Sequence, residues 1–130
     1  MFSHVMIGTN DIDRAEKFYT SLLSVLGIGA PMRNVAESGV TRLFFIGNGG
    51  MFGISEPLDG QPASHGNGST LGFLCSSPEQ VKEFHDAGVA AGGTSVEDPP
   101  GLRSGNLGPM HLCYLRDPDG NKLCGFHRPE

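Results

Sequence analysis

The sequence predicts an α+β fold made of two tandem βαβββ units, and two observations lead to that prediction. The segment that starts at His4 (HVMIGTNDIDRAEKFY) aligns without a gap with the segment that starts at Thr70 (TLGFLCSSPEQVKEFH), 66 positions later. A strand, a helix cap and an amphipathic helix fall at the same offsets in both segments. Each segment is then followed by three short apolar runs with turn residues between them. Duplicated units of this kind predict one domain, residues 1–130, with a cleft that suits a small molecule.

The first unit is expected at residues 1–57. A strand at 3–9 leads into a helix that Asn10 is expected to cap and Gly27 to end. The apolar residues of this helix recur every three or four positions and form one stripe: Ile12, Ala15, Phe18, Tyr19, Leu22, Leu23 and Leu26. Three strands follow, with glycine-rich turns after Glu37 and around Asn48, and they are expected at 32–37, 40–47 and 51–56.

A linker rich in Pro, Gly, Ser and Asn is expected at 58–69, and the second unit at 70–130. Its strand at 70–75 precedes a helix opened by the capping box Ser77-Pro78-Glu79-Gln80. After a short strand near 93–97, the segment PPGLRSGNLGP has too many glycines and prolines for regular structure, so a loop is predicted there. The last strands are expected at 110–116 and 121–127, joined by the tight turn DPDGN.

Composition excludes several classes of protein. With a net charge of −5 and nine basic residues that form no run, the chain lacks the basic stripe that nucleic-acid binding needs. No apolar stretch approaches the roughly 20 residues of a membrane span, and no signal-peptide pattern opens the sequence. The three cysteines, Cys75, Cys113 and Cys124, form no CxxC motif. An odd number of cysteines without an export signal predicts reduced thiols and a cytoplasmic protein.

Five segments of the sequence are informative as motifs: HVMIGTNDIDRAEKFY, GNGSTLGFL, FHDAGVAAGG, PGLRSG and YLRDPDGNKL. Through them the chain resembles, over essentially its whole length, the vicinal oxygen chelate superfamily of glyoxalases, bleomycin-resistance proteins and extradiol dioxygenases. The resemblance implies that the two units curl into half-barrel sheets around a cavity. It also implies a small polar organic substrate or ligand, and a homodimer.

The same resemblance implies one divalent metal ion, held by ligands on the first and last strands of each half. His4 matches the first of these positions, Thr70 the second and Cys124, after the DPDGN turn, the third. Counting from Gly50 as from Gly120 places the fourth at Ile54, which has no ligand atom. Glu56 follows two residues later, on the same strand face, and is expected as second ligand or general base.

Two further residues are candidates for contact with the bound molecule. Tyr114 is expected to face the cavity and to act as an acid–base or hydrogen-bonding group, and Arg42 is expected to bind an anionic group of the substrate. His111 is instead expected on the helix-packed side of its strand, as a structural residue.

Two functions stay open, beside a third possibility, a cavity that has no present-day ligand. As an enzyme, the protein is expected to be a lyase, isomerase or dioxygenase with Zn, Ni, Mn or Fe held by His4 and Glu56. As an alternative, it is a metal-free protein that binds or sequesters a small molecule. Because only one of the four positions carries a usual ligand, the sequence favours the metal-free alternative.

Overall fold

The computed structural model describes residues 1–47 and 49–129, so Asn48, expected in a turn, and Glu130 lie outside the described residues. The first half contains β1 (His4–Gly8), α1 (Ile12–Ser24), β2 (Met32–Val35), β3 (Thr41–Gly47) and β4 (Gly50–Ser55). The second half contains β5 (Leu71–Leu74), α2 (Pro78–Ala90), β6 (Thr94–Ser95), β7 (Gly101–Arg103), β8 (Met110–Arg116) and β9 (Lys122–His127).

The two halves repeat one topology. The first sheet has the strand order β1-β4-β3-β2, and the second has β5-β9-β8-β6 with β7 added against β8. In both sheets the first strand is parallel to the last strand of its half, and the remaining pairs are antiparallel. Both helices have 13 residues, and their first residues, Ile12 and Pro78, are 66 positions apart, as the aligned segments predict. The predicted α+β fold of two curled βαβββ sheets is confirmed.

Side-chain caps start both helices. The Asp11 carboxylate accepts a hydrogen bond from the backbone N–H of Arg14 at 3.0 Å, so Asp11 caps α1 and the prediction of Asn10 as the cap is wrong. Asn10 Oδ1 instead accepts from the backbone N–H of Ala63 at 2.6 Å and holds the linker. In α2 the Ser77 hydroxyl accepts from the backbone N–H of Gln80 at 3.0 Å, as predicted.

The helix-covered faces of the two sheets pack into one shared core. Phe18 and Leu22 of α1 and Phe84 of α2 are fully buried in it. The rings of Phe52 on β4 and Phe73 on β5 have centroids 5.4 Å apart, so the two halves touch directly there. No described strand of one sheet pairs with a strand of the other. The second face of each sheet therefore points away from the shared core.

Strand β7 lies in the segment that the sequence predicts as a loop. Gly101 pairs with Leu112 of β8, and Arg103 pairs with Met110. The prediction is wrong because these backbone bonds come from a strand distant in sequence, whereas the glycines and prolines around β7 report only local preference.

Within the described residues, no helix has the length and apolarity that crossing a lipid bilayer requires.

Candidate functional site

The candidate site lies on the faces of the two sheets that point away from the core, here called the first and second open faces. Residues paired across two strands lie on the same face of a sheet, and successive residues of one strand lie on opposite faces. The strand pairing therefore determines which residues belong to each open face. The first open face carries His4, Met6, Met32, Arg42, Phe44, Ile46, Met51, Gly53 and Ser55. The second carries Gly72, Leu74, Met110, Leu112, Tyr114, Arg116, Lys122, Cys124 and Phe126.

A polar cluster lies in the middle of the second open face. Tyr114 pairs across the strands with Cys124, and the Lys122 ammonium lies 4.7 Å from the centroid of the Tyr114 ring. Lys122 also forms an ion pair with Glu97. Burial raises the pKa of the Tyr114 phenol, with smaller contributions from Cys124 and Glu97. Tyr114 is therefore a neutral hydrogen-bond donor at ordinary pH rather than a base.

The cysteines are free thiols, as the sequence predicts. Burial raises the pKa of Cys124 to about 11 and that of Cys113 to about 12, and it also raises the pKa of Cys75. Because the thiolate is the nucleophile, burial makes these three thiols poorer nucleophiles at neutral pH than an exposed cysteine.

Arg42 dominates the polar part of the first open face. Its guanidinium donates to Asn34 Oδ1 at 2.9 Å and lies 5.6 Å from the centroid of the Phe44 ring. Its Nε is buried and has no hydrogen-bond partner within the described chain. Arg42 thus lies on the first open face, with donor capacity that no described residue uses.

Large apolar side chains on both open faces are exposed to solvent. The exposed fractions are 37% for Met6, 59% for Met32 and 62% for Ile46 on the first face, and 76% for Leu74 on the second. Apolar patches of this kind mark binding surfaces for a ligand or a protein.

The structure does not bring His4 and Glu56 together. Strands β1 and β4 are parallel and His4 is level with Met51, whereas Glu56 lies five positions beyond Met51. At about 3.3 Å per residue the two are roughly 16 Å apart along the strands, too far to hold one ion. Glu56 Oε1 accepts from the backbone N–H of Thr41 at 2.6 Å, and the His4 ring shares a hydrogen bond of 2.8 Å with the Ser3 hydroxyl.

The fourth metal-ligand position is Gly53, not Ile54. In the second half Cys124 of β9 pairs with Gly72 of β5. The residue 66 positions before Gly72 is Met6 of β1, and Met6 pairs with Gly53 of β4, so Gly53 is the equivalent of Cys124. Ile54 is fully buried in the core, so the count from Gly50 is wrong by one residue. Gly53 offers no ligand, and a Cβ placed there would lie 2.1 Å from Met6 Sδ, so the Met6 side chain occupies that space.

These donors do not fit a divalent ion in a single chain. The four positions carry His4, Thr70, Cys124 and Gly53, and of these only His4 is one of the ligand types that the resemblance implies. Among the residues that the structure describes, no three His, Cys, Asp or Glu side chains are grouped so as to hold a metal.

Residues of both sheets line grooves in the described part of the chain. Thr70, just before β5, lines a groove of about 340 Å³ together with Met6 and Lys122, so this groove touches both open faces. A more apolar cleft of about 550 Å³ lies between β4 and β5 and is lined by Phe52, Phe73 and other residues. None of the residues that the sequence predicts for the site lines the larger cleft.

Sequence reasoning did not select Lys122 or Arg116 as site residues. Both flank the DPDGN turn at positions that alternate with buried leucines, Leu115 and Leu123. That alternation was the available signal, because it places both cations on the same face as Tyr114.

Comparison with known proteins agrees with this architecture. The sequence model of the Glyoxalase/Bleomycin resistance protein/Dioxygenase superfamily matches residues 1–124. A glyoxalase/bleomycin resistance protein from Albidiferax ferrireducens T118 is 56% identical, with a TM-score of 0.91 over 98% of this chain and 99% of that one. No curated protein shows significant sequence similarity to the chain.

More distant structures share the fold. A glyoxalase-related enzyme from Fulvimarina pelagi is 22% identical, with a TM-score of 0.74 over 99% of this chain and 88% of that one. A glyoxalase/bleomycin resistance protein/dioxygenase family enzyme from Burkholderia phytofirmans PsJN is 20% identical, with a TM-score of 0.71 over 95% of each chain. From the duplicated βαβββ topology, the match over residues 1–124 and the 56% identical relative, it follows that the chain belongs to the glyoxalase/bleomycin resistance protein/dioxygenase superfamily.

Proposed function

We propose that the protein binds a small polar organic molecule on its open faces, without the divalent ion that the family resemblance implies. The observation that carries the proposal is the second open face, where Tyr114, Arg116 and Lys122 lie beside the apolar Leu112 and Phe126. Small-molecule sites are typically mostly apolar, with a few polar groups that fix the orientation of the ligand.

The ligand positions support the metal-free form of this proposal. His4 and Glu56 lie at opposite ends of the β1–β4 pair, and the position equivalent to Cys124 is occupied by Gly53.

A homodimer is part of the proposal. Strands β1 and β5 are the edges of their sheets, and each has a partner on one side only within the described chain. These edge strands carry the exposed side chains of Met6, on β1, and Leu74, on β5. A second copy of the chain would cover this apolar surface and would close the open faces over the bound molecule.

One observation favours catalysis as a second candidate. The Tyr114 phenol, whose pKa burial raises, is protonated at neutral pH, and the Lys122 ammonium lies next to its ring. A phenol in this state can donate a proton to a substrate oxygen, as a lyase or isomerase would require. Under this alternative the Tyr114→Phe variant retains binding and loses turnover.

We also infer that the protein works in the cytoplasm. All three cysteines are buried free thiols, which agrees with a reducing compartment.

The proposal is tested by two measurements on the tag-free protein. Elemental mass spectrometry after addition of zinc, nickel, manganese or iron is expected to show less than stoichiometric metal. Near-stoichiometric metal that is lost in His4→Ala would overturn the metal-free form. The second measurement is backbone-amide NMR during titration with small aromatic compounds. We expect saturable shifts at Tyr114 and Lys122, and shifts confined to helix α2 would contradict the assignment of the site.

A further inference from the structure

The positive charge of this acidic protein is concentrated on its β-strands. The chain has a net charge of −5, yet none of the nine described strands contains an Asp or a Glu. Five of the nine basic residues lie in strands: Arg33, Arg42, Arg103, Arg116 and Lys122. All except Arg33 lie on or beside the open faces, because Arg103 pairs with Met110 and the others are members of those faces.

Of the four cations on the helix side of the molecule, Arg14, Arg33 and Lys82 are paired with carboxylates, and Lys17 forms no ion pair with the described residues. Arg14 contacts Asp119 at 2.9 Å, Arg33 contacts Asp13 and Glu16 at 2.8 Å each, and Lys82 contacts Asp86 at 2.5 Å. The charges of these three paired cations are therefore locally compensated.

The arginines of the open faces have only neutral partners within the described chain. Arg42 donates to the Asn34 amide oxygen, and its buried Nε has no acceptor. Arg116 donates to the backbone carbonyl of Gly120 at 2.6 Å, and Arg103 donates to the carbonyls of Asp98, Pro99 and Gly101. Of the basic residues on these faces, Lys122 alone has a carboxylate partner, Glu97, among the described residues.

From this contrast we propose that the molecule bound on the open faces is an organic anion, and that Arg42 on the first open face and Arg116 on the second supply the positive charge that attracts its carboxylate or phosphate group. The inference rests on the proposed function and adds the chemical class of the ligand. A guanidinium presents several N–H donors in one plane, which matches either anion, and a half-buried site strengthens the attraction. The neighbouring Phe44 and Tyr114 provide apolar surface for the body of the molecule.

The test compares four probes that share a phenyl group: phenylacetate, phenyl phosphate, 2-phenylethanol and 2-phenylethylamine. Each is titrated into the wild-type protein and followed by backbone-amide NMR. Phenylacetate or phenyl phosphate is expected to bind at least about tenfold more tightly than the alcohol, equivalent to about 1.4 kcal/mol. The amine is expected to bind most weakly. The two anions distinguish a carboxylate site from a phosphate site.

Substitutions test which arginines attract the anion. Arg42→Met and Arg116→Met are each expected to weaken binding of the preferred anion about tenfold and to leave the alcohol unchanged. Arg42→Lys keeps the charge and is expected to recover part of the affinity. The matched control is Arg33→Met, which removes the same charge from the opposite face of the adjacent strand β2. This variant is expected to bind the anions as the wild type does.

The outcomes separate the two proposals. Equal binding of the alcohol and the anions at Tyr114 and Lys122 would overturn the anion inference and leave the proposed function standing. Equal losses in Arg33→Met and Arg42→Met would also overturn it, because the effect would then come from net charge. No saturable shift at the open faces with any probe would overturn both. The wild-type comparison needs no variant, so the inference stays testable even where a substitution impairs folding.

Discussion

The Tyr19 hydroxyl in helix α1 donates a hydrogen bond of 2.5 Å to Asp117 Oδ2, at the end of β8 in the other half of the chain. Both residues are buried. Asp117 also accepts from the backbone N–H groups of Asp119 and Asn121, each at 2.9 Å. The DPDGN turn is thereby fixed against the first helix, so this sequence motif joins the two halves as well as reversing the chain.

Replacing Tyr19 with Phe is expected to lower the free energy of unfolding by about 1–3 kcal/mol, because a buried carboxylate loses one donor. Urea denaturation followed by circular dichroism measures the change. Tyr114→Phe is the matched control, since Tyr114 lies on an open face, and it is expected to unfold near the wild-type midpoint. An unchanged midpoint in Tyr19→Phe would show that the bond between the halves contributes nothing to stability.

Stability is expected to fall at alkaline pH through Tyr19. Burial, and then the charge of Asp117, raise the pKa of its phenol well above the ordinary value of about 10. Below about pH 10 the Tyr19 phenol is protonated in both the folded and the unfolded chain. As the pH rises above about 10 the unfolded chain releases it while the folded chain does not, so unfolding becomes easier.

Cys124 and Cys113, with pKa values raised to about 11 and about 12, also lower the stability of the folded chain as the pH rises, and their effect begins at a lower pH than that of Tyr19. Their contribution is expected to decline from the ordinary thiol pKa upward. Urea midpoints measured from about pH 8 to about pH 11 test both effects. The Tyr19→Phe variant should show a shallower decline above about pH 10, and an identical decline would contradict the assignment to Tyr19.

Two glycines are expected to respond differently to alanine. At Gly93 a Cβ would lie 2.8 Å from the Arg116 carbonyl oxygen and 2.9 Å from that of Gly88, and the backbone cannot easily move. Gly93→Ala is expected to cost about 1–3 kcal/mol. At Gly53 the obstacle is the Met6 side chain, which is flexible and 37% exposed, so Gly53→Ala is expected to cost less than about 1 kcal/mol. Thermal unfolding of the two variants tests the order, and the reverse order would contradict it.

A charge placed on the exposed apolar surface of either open face is expected to break the proposed homodimer. Size-exclusion chromatography with light scattering should give twice the mass of one chain for the wild type. Leu74→Glu and Ile46→Glu should shift it to the mass of one chain, because each buries a charge in the covered surface. Val89→Glu, on helix α2 and 40% exposed, is the control and should stay dimeric. A monomeric wild type at high concentration would exclude the dimer.

The fold was predictable because its main signals are local and occur twice. Apolar residues at three- and four-residue spacing placed both helices, and the turn residues placed the long strands. Strand β7 cannot be predicted from its own segment because its backbone hydrogen bonds come from β8. The cap of α1 is ambiguous because both Asn10 and Asp11 have the chemistry of a cap.

The site was harder to predict because it depends on register. The last pairs of the two hairpins are Gly47 with Gly50 and Arg116 with Lys122, so the connections differ in length. Counting the same number of residues from the turn glycine of each hairpin therefore gives Ile54 as the position equivalent to Cys124, whereas the strand pairing gives Gly53. The large separation of His4 and Glu56 follows from the parallel pairing of β1 with β4, which alternation along one strand does not reveal.

The Met6–Gly53 and Gly72–Cys124 pairs have one further consequence for relatives of this protein. In each pair a sulfur-containing side chain faces a glycine, but the large residue is on the first strand in one half and on the last strand in the other. The side-chain volume at this level of the sheet is therefore the sum over the two paired positions, and the larger side chain can come from either strand. Positions 6 and 53 should consequently vary together in an alignment, with a larger residue at one accompanied by a smaller residue at the other.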